Sequence, residues 1–129
     1  DPIYLLKSKK NQIEINNIKK AHLLDGVAVT RFLIWIKNNF EKKRISEIKA
    51  QNKLLKFRKE FKKFVSLSFP TISGTGANAS VIHYRASPQT NKILKKGELY
   101  LVDSGGQYKF GTTDVTRTIS LKNYDDRIK

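Results

Sequence analysis

The residue pattern of this 129-residue chain changes from helix-like to strand-like at Ser66, which restricts the folds it can adopt. Before Ser66, apolar residues recur at helical spacing among many lysines, whereas glycine, serine, threonine and β-branched residues dominate after it. Helices and strands bury side chains with different periods, so each half favours one kind of element. The sequence therefore predicts an α+β fold in which two helices precede antiparallel strands.

Both predicted helices have recognisable N-termini. Asn11, followed three residues later by Glu14, forms a capping box for the first helix, and Ser46 is the predicted N-cap of the second. The predicted buried stripe of the first helix consists of Ile15, Ile18, His22, Val29, Leu33, Ile36 and Phe40. That of the second consists of Leu54, Phe57, Phe61 and Phe64. We expect His22 to be structural because it lies within such a stripe.

The second half contains three strand candidates. Residues 81–85 form a short one, and residues 98–103 and 113–121 form two longer ones with strand-like alternation. Pro70 and the glycine-rich run at 73–76 are interpreted as the irregular beginning of this region. His83 falls on the short strand, where it could equally be a buried polar residue or a functional group.

Two aspartates lie at the ends of the longer strands. A turn centred on residues 108 and 109 would place Asp103 opposite Asp114, with Cβ atoms ~5 Å apart on one face of the sheet. Carboxylates that close repel each other unless a divalent metal pair takes oxygens from both. The alternative is that both are ordinary turn and edge-strand residues with local hydrogen bonds.

Composition narrows the possible partners. The chain has no cysteine and two histidines, so a metal would be held mainly by carboxylates, which favours manganese or magnesium. The net charge of +15 comes from 20 lysines and 6 arginines against 11 acidic residues, a balance more typical of a solvated surface than of a nucleic-acid interface. With neither a signal peptide nor an apolar run of about 20 residues in the sequence, we expect a soluble, cytoplasmic protein without membrane contact.

Four segments of the second half carry distinctive motifs, at residues 82–85 (Ile-His-Tyr-Arg), 87–91 (Ser-Pro-Gln-Thr-Asn), 101–108 (Leu-Val-Asp-Ser-Gly-Gly-Gln-Tyr) and 111–118 (Gly-Thr-Thr-Asp-Val-Thr-Arg-Thr). Together these segments closely resemble the Xaa-Pro aminopeptidases. Shorter matches precede them in the same order, at 10–11, 21–26, 45–47 and 68–74. The resemblance implies that residues 1–129 are the first part of a pita-bread catalytic domain, truncated before its remaining metal ligands. Residues 75–80 depart from the Gly-Pro-Asn-Gly-Ala that the family usually has, so the loop before His83 is expected to differ.

The resemblance also implies roles for individual residues. In the family, the aspartates matching Asp103 and Asp114 bind two divalent ions, most often Mn²⁺, the first binding one ion and the second bridging both. The histidine matching His83 lies near the scissile bond. The implied reaction is metal-assisted hydrolysis of the first bond of a peptide whose second residue is proline. A histidine and two glutamates further along complete the family's site, so we expect the missing downstream half to be a partner.

Two other interpretations remain open at this point. The chain could be an inactive fragment or remnant of such an enzyme, with no catalysis of its own, or, less well supported, a basic nucleic-acid-binding module. If the chain is half of a domain, one face of its sheet should expose apolar residues that the other half would cover. The candidates for this exposed set are Leu99, Leu101, Val115 and Ile119.

Overall fold

The computed structural model describes residue 5 and residues 11–122. In chain order its elements are helices α1 (Gln12–Asn39) and α2 (Glu47–Lys59), strands β1 (Phe64–Leu67) and β2 (Ile72–Thr75), a 3-10 turn (Gly76–Ser80), and strands β3 (Leu99–Ser104), β4 (Gly106–Tyr108), β5 (Gly111–Thr112) and β6 (Val115–Ser120). Two helices followed by antiparallel strands confirm the predicted α+β class. None of the helices in the described part of the chain is long and apolar enough to cross a membrane.

Both predicted N-caps are confirmed. The Asn11 side chain accepts from the Glu14 backbone N–H at 2.8 Å, and the Glu14 carboxylate accepts from the Asn11 N–H at 3.2 Å. Ser46 Oγ accepts from the Lys49 N–H at 3.0 Å. These bonds satisfy N–H groups that have no partner within a helix, so the sequence marks both helix starts correctly.

The buried faces of the helices agree with the prediction only in part, because Val29, Ile36, Phe40 and Leu54 are buried as predicted but other members are not. α1 buries Ala21, Asp25, Ala28, Val29, Phe32 and Ile36, whereas His22 is exposed with Nδ1 2.9 Å from the Ile18 carbonyl oxygen. α2 ends at Lys59 and buries Arg58, so Phe61 and Phe64 lie beyond it. The apolar pattern missed Ala21, Asp25 and Ala28 because small residues and a carboxylate do not stand out in it.

The strands form two antiparallel three-stranded sheets, ordered β1-β4-β5 and β2-β3-β6. One hairpin contributes to both, since β3 pairs with β6 at its base and β4 pairs with β5 at its tip. The chain passes between the sheets at Gly105, where an added Cβ would lie 2.0 Å from the Thr113 carbonyl oxygen and 2.3 Å from Ser68 Oγ. Only glycine fits there. β1 and β2, including the glycine-rich run, were not predicted as strands.

The hydrophobic core lies between the helices and one face of the β2-β3-β6 sheet, which we call the covered face. Phe32, Ile36 and Leu54 from the helices meet Tyr100 and Val102 from β3. The opposite face, which we call the open face, carries Ile72, Leu101 and Asp103, since these alternate with the buried residues along β2 and β3.

The predicted exposed apolar set is only half correct. Leu99 is 54% exposed and Leu101 is half-buried, both on the open face. Val115 and Ile119 instead pack against the core, because they pair with Ser104 and Tyr100 of the covered face. Residues facing each other in this hairpin share a side of the sheet, so the four positions could not form one surface.

Candidate active site

The two predicted metal ligands do not face each other. Asp103 of β3 pairs with Thr116, and the exposed Asp114 lies just before β6. The predicted register was wrong because the turn is centred on residues 109 and 110, with Tyr108 opposite Gly111. Moving the centre by one residue shifts the register by two, which preserves the alternation of faces, so residue 114 is still expected on the side of Asp103.

A groove on the open face brings together Asp103 and His83. It has a volume of about 300 Å³, and its lining consists of Ile72, Ala79, Ser80, Val81, Ile82, His83, Leu101, Asp103 and Thr116. Asp114 is not among these residues. The structure therefore places two of the three predicted site residues in one apolar-walled groove, whereas the third, the exposed Asp114, lies between β5 and β6 of the hairpin that carries Asp103.

Asp103 carries an unusual feature for a half-buried residue. Its Oδ1 atom is inaccessible to solvent and accepts no hydrogen bond from the described residues. Burying an acceptor without a partner is costly, so native proteins seldom leave one unless a ligand or ion supplies the interaction. A carboxylate oxygen in a groove that Ile72 and Leu101 also line fits a hard divalent cation, which prefers oxygen ligands. Within the described residues, no group of three or more potential ligands comes together.

His83 lies on a turn and not on a strand, which corrects the prediction for residues 81–85. Its φ of 54° is in the left-handed region, which non-glycine residues seldom adopt, and its side chain is exposed. A strand would have hidden the imidazole or paired the backbone. The turn instead presents the ring at the rim of the groove.

Gly74 allows the 3-10 turn (Gly76–Ser80), which precedes His83, to approach strand β2 closely. A Cβ at Gly74 would lie 2.9 Å from the Asn78 carbonyl oxygen, so the 3-10 turn packs directly on the backbone of β2 on its open face. Residues 75–80, where the sequence departs from the family pattern, form this turn and the residue before it. The departure therefore lies in the segment that carries the chain from β2 to His83.

The structure reveals a buried carboxylate cluster that the sequence did not single out. Glu47, the first residue of α2, is fully buried and accepts hydrogen bonds from the Thr75 N–H (2.8 Å), the Lys92 N–H (3.0 Å), Asn78 Nδ2 (3.1 Å) and the Tyr84 hydroxyl (2.6 Å). Burial and the bond to Glu47 raise the pKa of the Tyr84 hydroxyl. In the sequence, Glu47 directly follows the N-cap Ser46. That position gave no sign that Glu47 would be buried, because acidic residues are ordinary in an exposed first turn.

A second buried cluster braces the hairpin. Arg58 Nε and Nη2 donate to the two oxygens of Asp25 at 2.8 and 3.1 Å, and the Tyr108 hydroxyl donates to Asp25 Oδ1 at 2.7 Å. Burial alone would raise the pKa of Asp25, but the hydrogen bond and charge of Arg58, with further hydrogen bonds from Tyr108 and Thr113, lower it overall. Burial and the contact with Asp25 raise the pKa of Tyr108. This cluster ties both helices to the segment that follows Asp103.

An open sheet face with an unpaired carboxylate, beneath a turn that presents a histidine, is the kind of site that metal-dependent hydrolases use. Comparison with known proteins agrees with this class. Residues 16–129 match the family described as Metallopeptidase family M24, and the chain belongs to that family.

Individual relatives show which members of this family the chain is similar to. The chain is 44% identical over 120 residues to the probable Xaa-Pro aminopeptidase P of Podospora anserina, and 44% identical over 119 residues to the Xaa-Pro aminopeptidase ApepP of Drosophila melanogaster. Each alignment covers 92% of this chain but only 18% and 19% of the relative. The chain thus spans about a fifth of the length of these curated relatives.

A solved structure supports the fold assignment. The X-prolyl aminopeptidase of Caenorhabditis elegans, described as a cytosolic enzyme with a di-nuclear active site, superposes with a TM-score of 0.86 at 37% identity. The superposition covers 92% of this chain and 20% of the nematode enzyme. The chain therefore has the fold of one part of a pita-bread aminopeptidase.

Proposed function

We propose that these residues are the first part of the catalytic domain of an Xaa-Pro aminopeptidase. Asp103 and Asp114 would supply carboxylate oxygens to a pair of divalent ions, Mn²⁺ in the complete enzyme, and His83 would contact the substrate. The observation that carries the proposal is the buried, unpaired Oδ1 of Asp103 in a groove shared with His83. The named relatives support it, and the cytosolic nematode enzyme supports a cytosolic location.

The chain's own residues have separable tasks in this proposal. A bound metal pair supplies Lewis acidity and an activated water. Asp103 holds its ligand oxygen rigidly, because β3 is paired on both sides, with β2 and β6. His83, exposed at the groove rim, can donate or accept a proton at an imidazole nitrogen near the bound peptide. The apolar walls formed by Ile72 and Leu101 suit the ring of a proline in second position.

The remaining ligands and the general base would come from sequence outside these 129 residues. Two observations support this part of the proposal: the chain spans about a fifth of its relatives, and its described residues bring no three potential ligands together. The same observations favour the second candidate, a segment without catalysis of its own. The isolated chain should therefore hydrolyse Arg-Pro-Pro very slowly or not at all, and calorimetry should detect only weak Mn²⁺ binding.

A chimera tests the proposal. Residues 1–129 would replace the matching segment of the Drosophila aminopeptidase, and Mn²⁺-dependent release of the first residue of Arg-Pro-Pro would be measured. Asp103→Asn and Asp114→Asn should each lower kcat/KM by more than the ~10–100-fold typical of residues that only support metal ligands. Glu41→Gln, which alters an exposed carboxylate away from the groove, is the matched control and should leave kcat/KM unchanged.

Two results would contradict the proposal. Full activity of both aspartate variants in the chimera would remove these residues from the metal site. Robust Mn²⁺-dependent release by the isolated chain, abolished by Asp114→Asn, would show that ligands outside it are not needed.

A further inference from the structure

We propose that Glu47 is a positioning residue for His83. Its buried carboxylate, acting through Asn78 and Tyr84, holds the turn that presents the His83 imidazole to the groove containing Asp103. The involvement of His83 in the reaction rests on the proposed function, whereas the positioning itself rests on the contacts described above.

The first argument is the convergence of donors on Glu47. One carboxylate binds the end of β2 through Thr75, the 3-10 turn through Asn78, and the segment after the turn through Tyr84 and Lys92. None of these four donors is a charged side chain. The Glu47 carboxylate therefore accepts hydrogen bonds from loop and turn residues and is not paired with a counterion. Hydrogen bonds to an ionised carboxylate are stronger than neutral ones, which makes this a firm anchor for an otherwise irregular segment.

The second argument is that the anchor lies next to the strained residue. A left-handed backbone at a non-glycine residue persists only where the surrounding structure enforces it. Tyr84, which directly follows His83, is 6% exposed, and its hydroxyl lies 2.6 Å from Glu47 Oε1 and 3.1 Å from Thr90 Oγ1. Asn78, on the other side of the turn, bonds both Glu47 and the Tyr84 hydroxyl. The residues before and after His83 are therefore tied to one point on α2.

Ser73 provides a matched control in the same region. It is fully buried, and its Oγ donates to the Glu47 backbone oxygen at 2.8 Å and lies 2.7 Å from the Tyr100 hydroxyl. Ser73→Ala therefore removes a buried polar contact between α2 and β2 without touching the Glu47 carboxylate or the His83 turn. If the loss of a buried contact loosened the structure in general, Ser73→Ala should disturb His83 as much as substitutions at the Glu47 carboxylate do. If Glu47 positions His83, only the substitutions at the carboxylate should disturb it.

The test on the 129-residue chain is NMR of its two histidines, with His22 on α1 as the internal reference. Tyr84→Phe, which removes one hydroxyl and keeps the ring, should shift and broaden the His83 imidazole resonances while His22 stays unchanged. Glu47→Gln should shift and broaden the His83 resonances more strongly, since the glutamine amide has one acceptor oxygen for four donors. Ser73→Ala should leave the His83 resonances unaffected. If Glu47→Gln fails to fold, Tyr84→Phe still decides. Unchanged His83 resonances in folded Tyr84→Phe, or an equal change in Ser73→Ala, would overturn the proposal.

A double-mutant cycle in the chimera provides the second readout. Tyr84→Phe should lower kcat/KM by about tenfold to a hundredfold, the cost expected of a small misplacement. In a His83→Ala background the same substitution should have less than a twofold effect, since the group it positions is gone. Equal losses in both backgrounds would make Tyr84 merely structural and overturn the proposal. If His83→Ala alone leaves activity intact, the role of His83 in the proposed function fails, while the NMR result still decides whether Glu47 positions it.

Discussion

The two faces of the β2-β3-β6 sheet differ in whether their polar groups have hydrogen-bond partners. On the covered face, Ser73 Oγ and the Tyr100 hydroxyl lie 2.7 Å apart, and Thr75 Oγ1 donates to the Leu99 carbonyl oxygen. On the open face, Asp103 Oδ1 is buried without a donor among the described residues. Since both faces belong to the same three strands, sheet geometry cannot account for the difference. Gln51 Oε1 and Arg58 Nη1 are also buried without a partner among the described residues, but of these three residues only Asp103 lines the groove that contains His83.

The largest expected effect comes from removing the partner of a satisfied carboxylate, that of Asp25, which lies between the helices and β4 of the other sheet. Arg58→Met leaves Asp25 buried without its cation, and we expect a loss of about 3–5 kcal/mol in the free energy of unfolding. Asp103→Asn, which alters the carboxylate of the open face, should change it by no more than about 0.5 kcal/mol, because no partner within the described chain is lost.

Urea unfolding of the parent chain, Arg58→Met and Asp103→Asn, monitored by circular dichroism, measures both changes in the free energy of unfolding. The double variant Asp25→Asn/Arg58→Met is the control, and it should recover part of the loss because no buried charge remains. The contrast between the satisfied carboxylate of Asp25 and the unpaired oxygen of Asp103 breaks down if Asp103→Asn destabilises the chain as much as Arg58→Met does.

A smaller effect is expected from a matched pair of leucines. Leu54 of α2 is 1% exposed in the core, so Leu54→Ala should cost about 3 kcal/mol through lost burial and the cavity left behind. Leu99, at the end of β3 on the open face, is 54% exposed, and Leu99→Ala should cost less than about 0.5 kcal/mol. Thermal unfolding of both variants separates the two faces with the same chemical change. Similar melting temperatures for the two would mean that the open face is as well packed as the core.

The smallest effect concerns acid. The folded-state pKa of Asp25 lies below the ordinary value of about 3.9, so its ionised form stabilises the fold above that pH, and this contribution is lost as the pH falls from about 4 towards the folded-state pKa. The free energy of unfolding should therefore decline less steeply below pH 4 in Asp25→Asn/Arg58→Met than in the parent chain, while Glu41→Gln should keep the parent slope. Identical slopes for the parent and the double variant would show that the ion pair does not determine acid sensitivity.

Asp103, Asp114 and His83 remain predictions as site residues, and the structure bears only on where they lie. The motif around residues 101–108 identified Asp103, and the structure gives that residue an unpaired oxygen in a groove. The face-to-face pairing with Asp114 was wrong because a one-residue error in the turn centre is invisible to strand alternation. His83 was assigned to a strand because Val81 and Ile82 have high strand propensity, but the bonds of Tyr84 and Asn78 to Glu47 override that preference. The family match at Lys10 lies outside the described residues.

The features that the sequence determined by itself are those whose cause lies within a few residues. The capping box joins Asn11 and Glu14 across three positions, and the N-cap bond of Ser46 spans the same distance to Lys49. The change from helical to strand character is likewise local, because it follows from the periods with which short segments bury side chains, although β1 begins at Phe64 and not at the predicted Ser66.

Tertiary structure decided the features whose partners lie far apart in the chain. Glu47 and Tyr84 are 37 residues apart, Asp25 and Arg58 are 33 apart, and Asp25 and Tyr108 are 83 apart. A carboxylate looks the same in sequence whether it will face solvent, an arginine or an empty groove, because its environment exists only once distant segments have packed around it. For the same reason, packing and not local pattern decided that Asp25 and Glu47 find their hydrogen-bond donors within the chain while one oxygen of Asp103 does not.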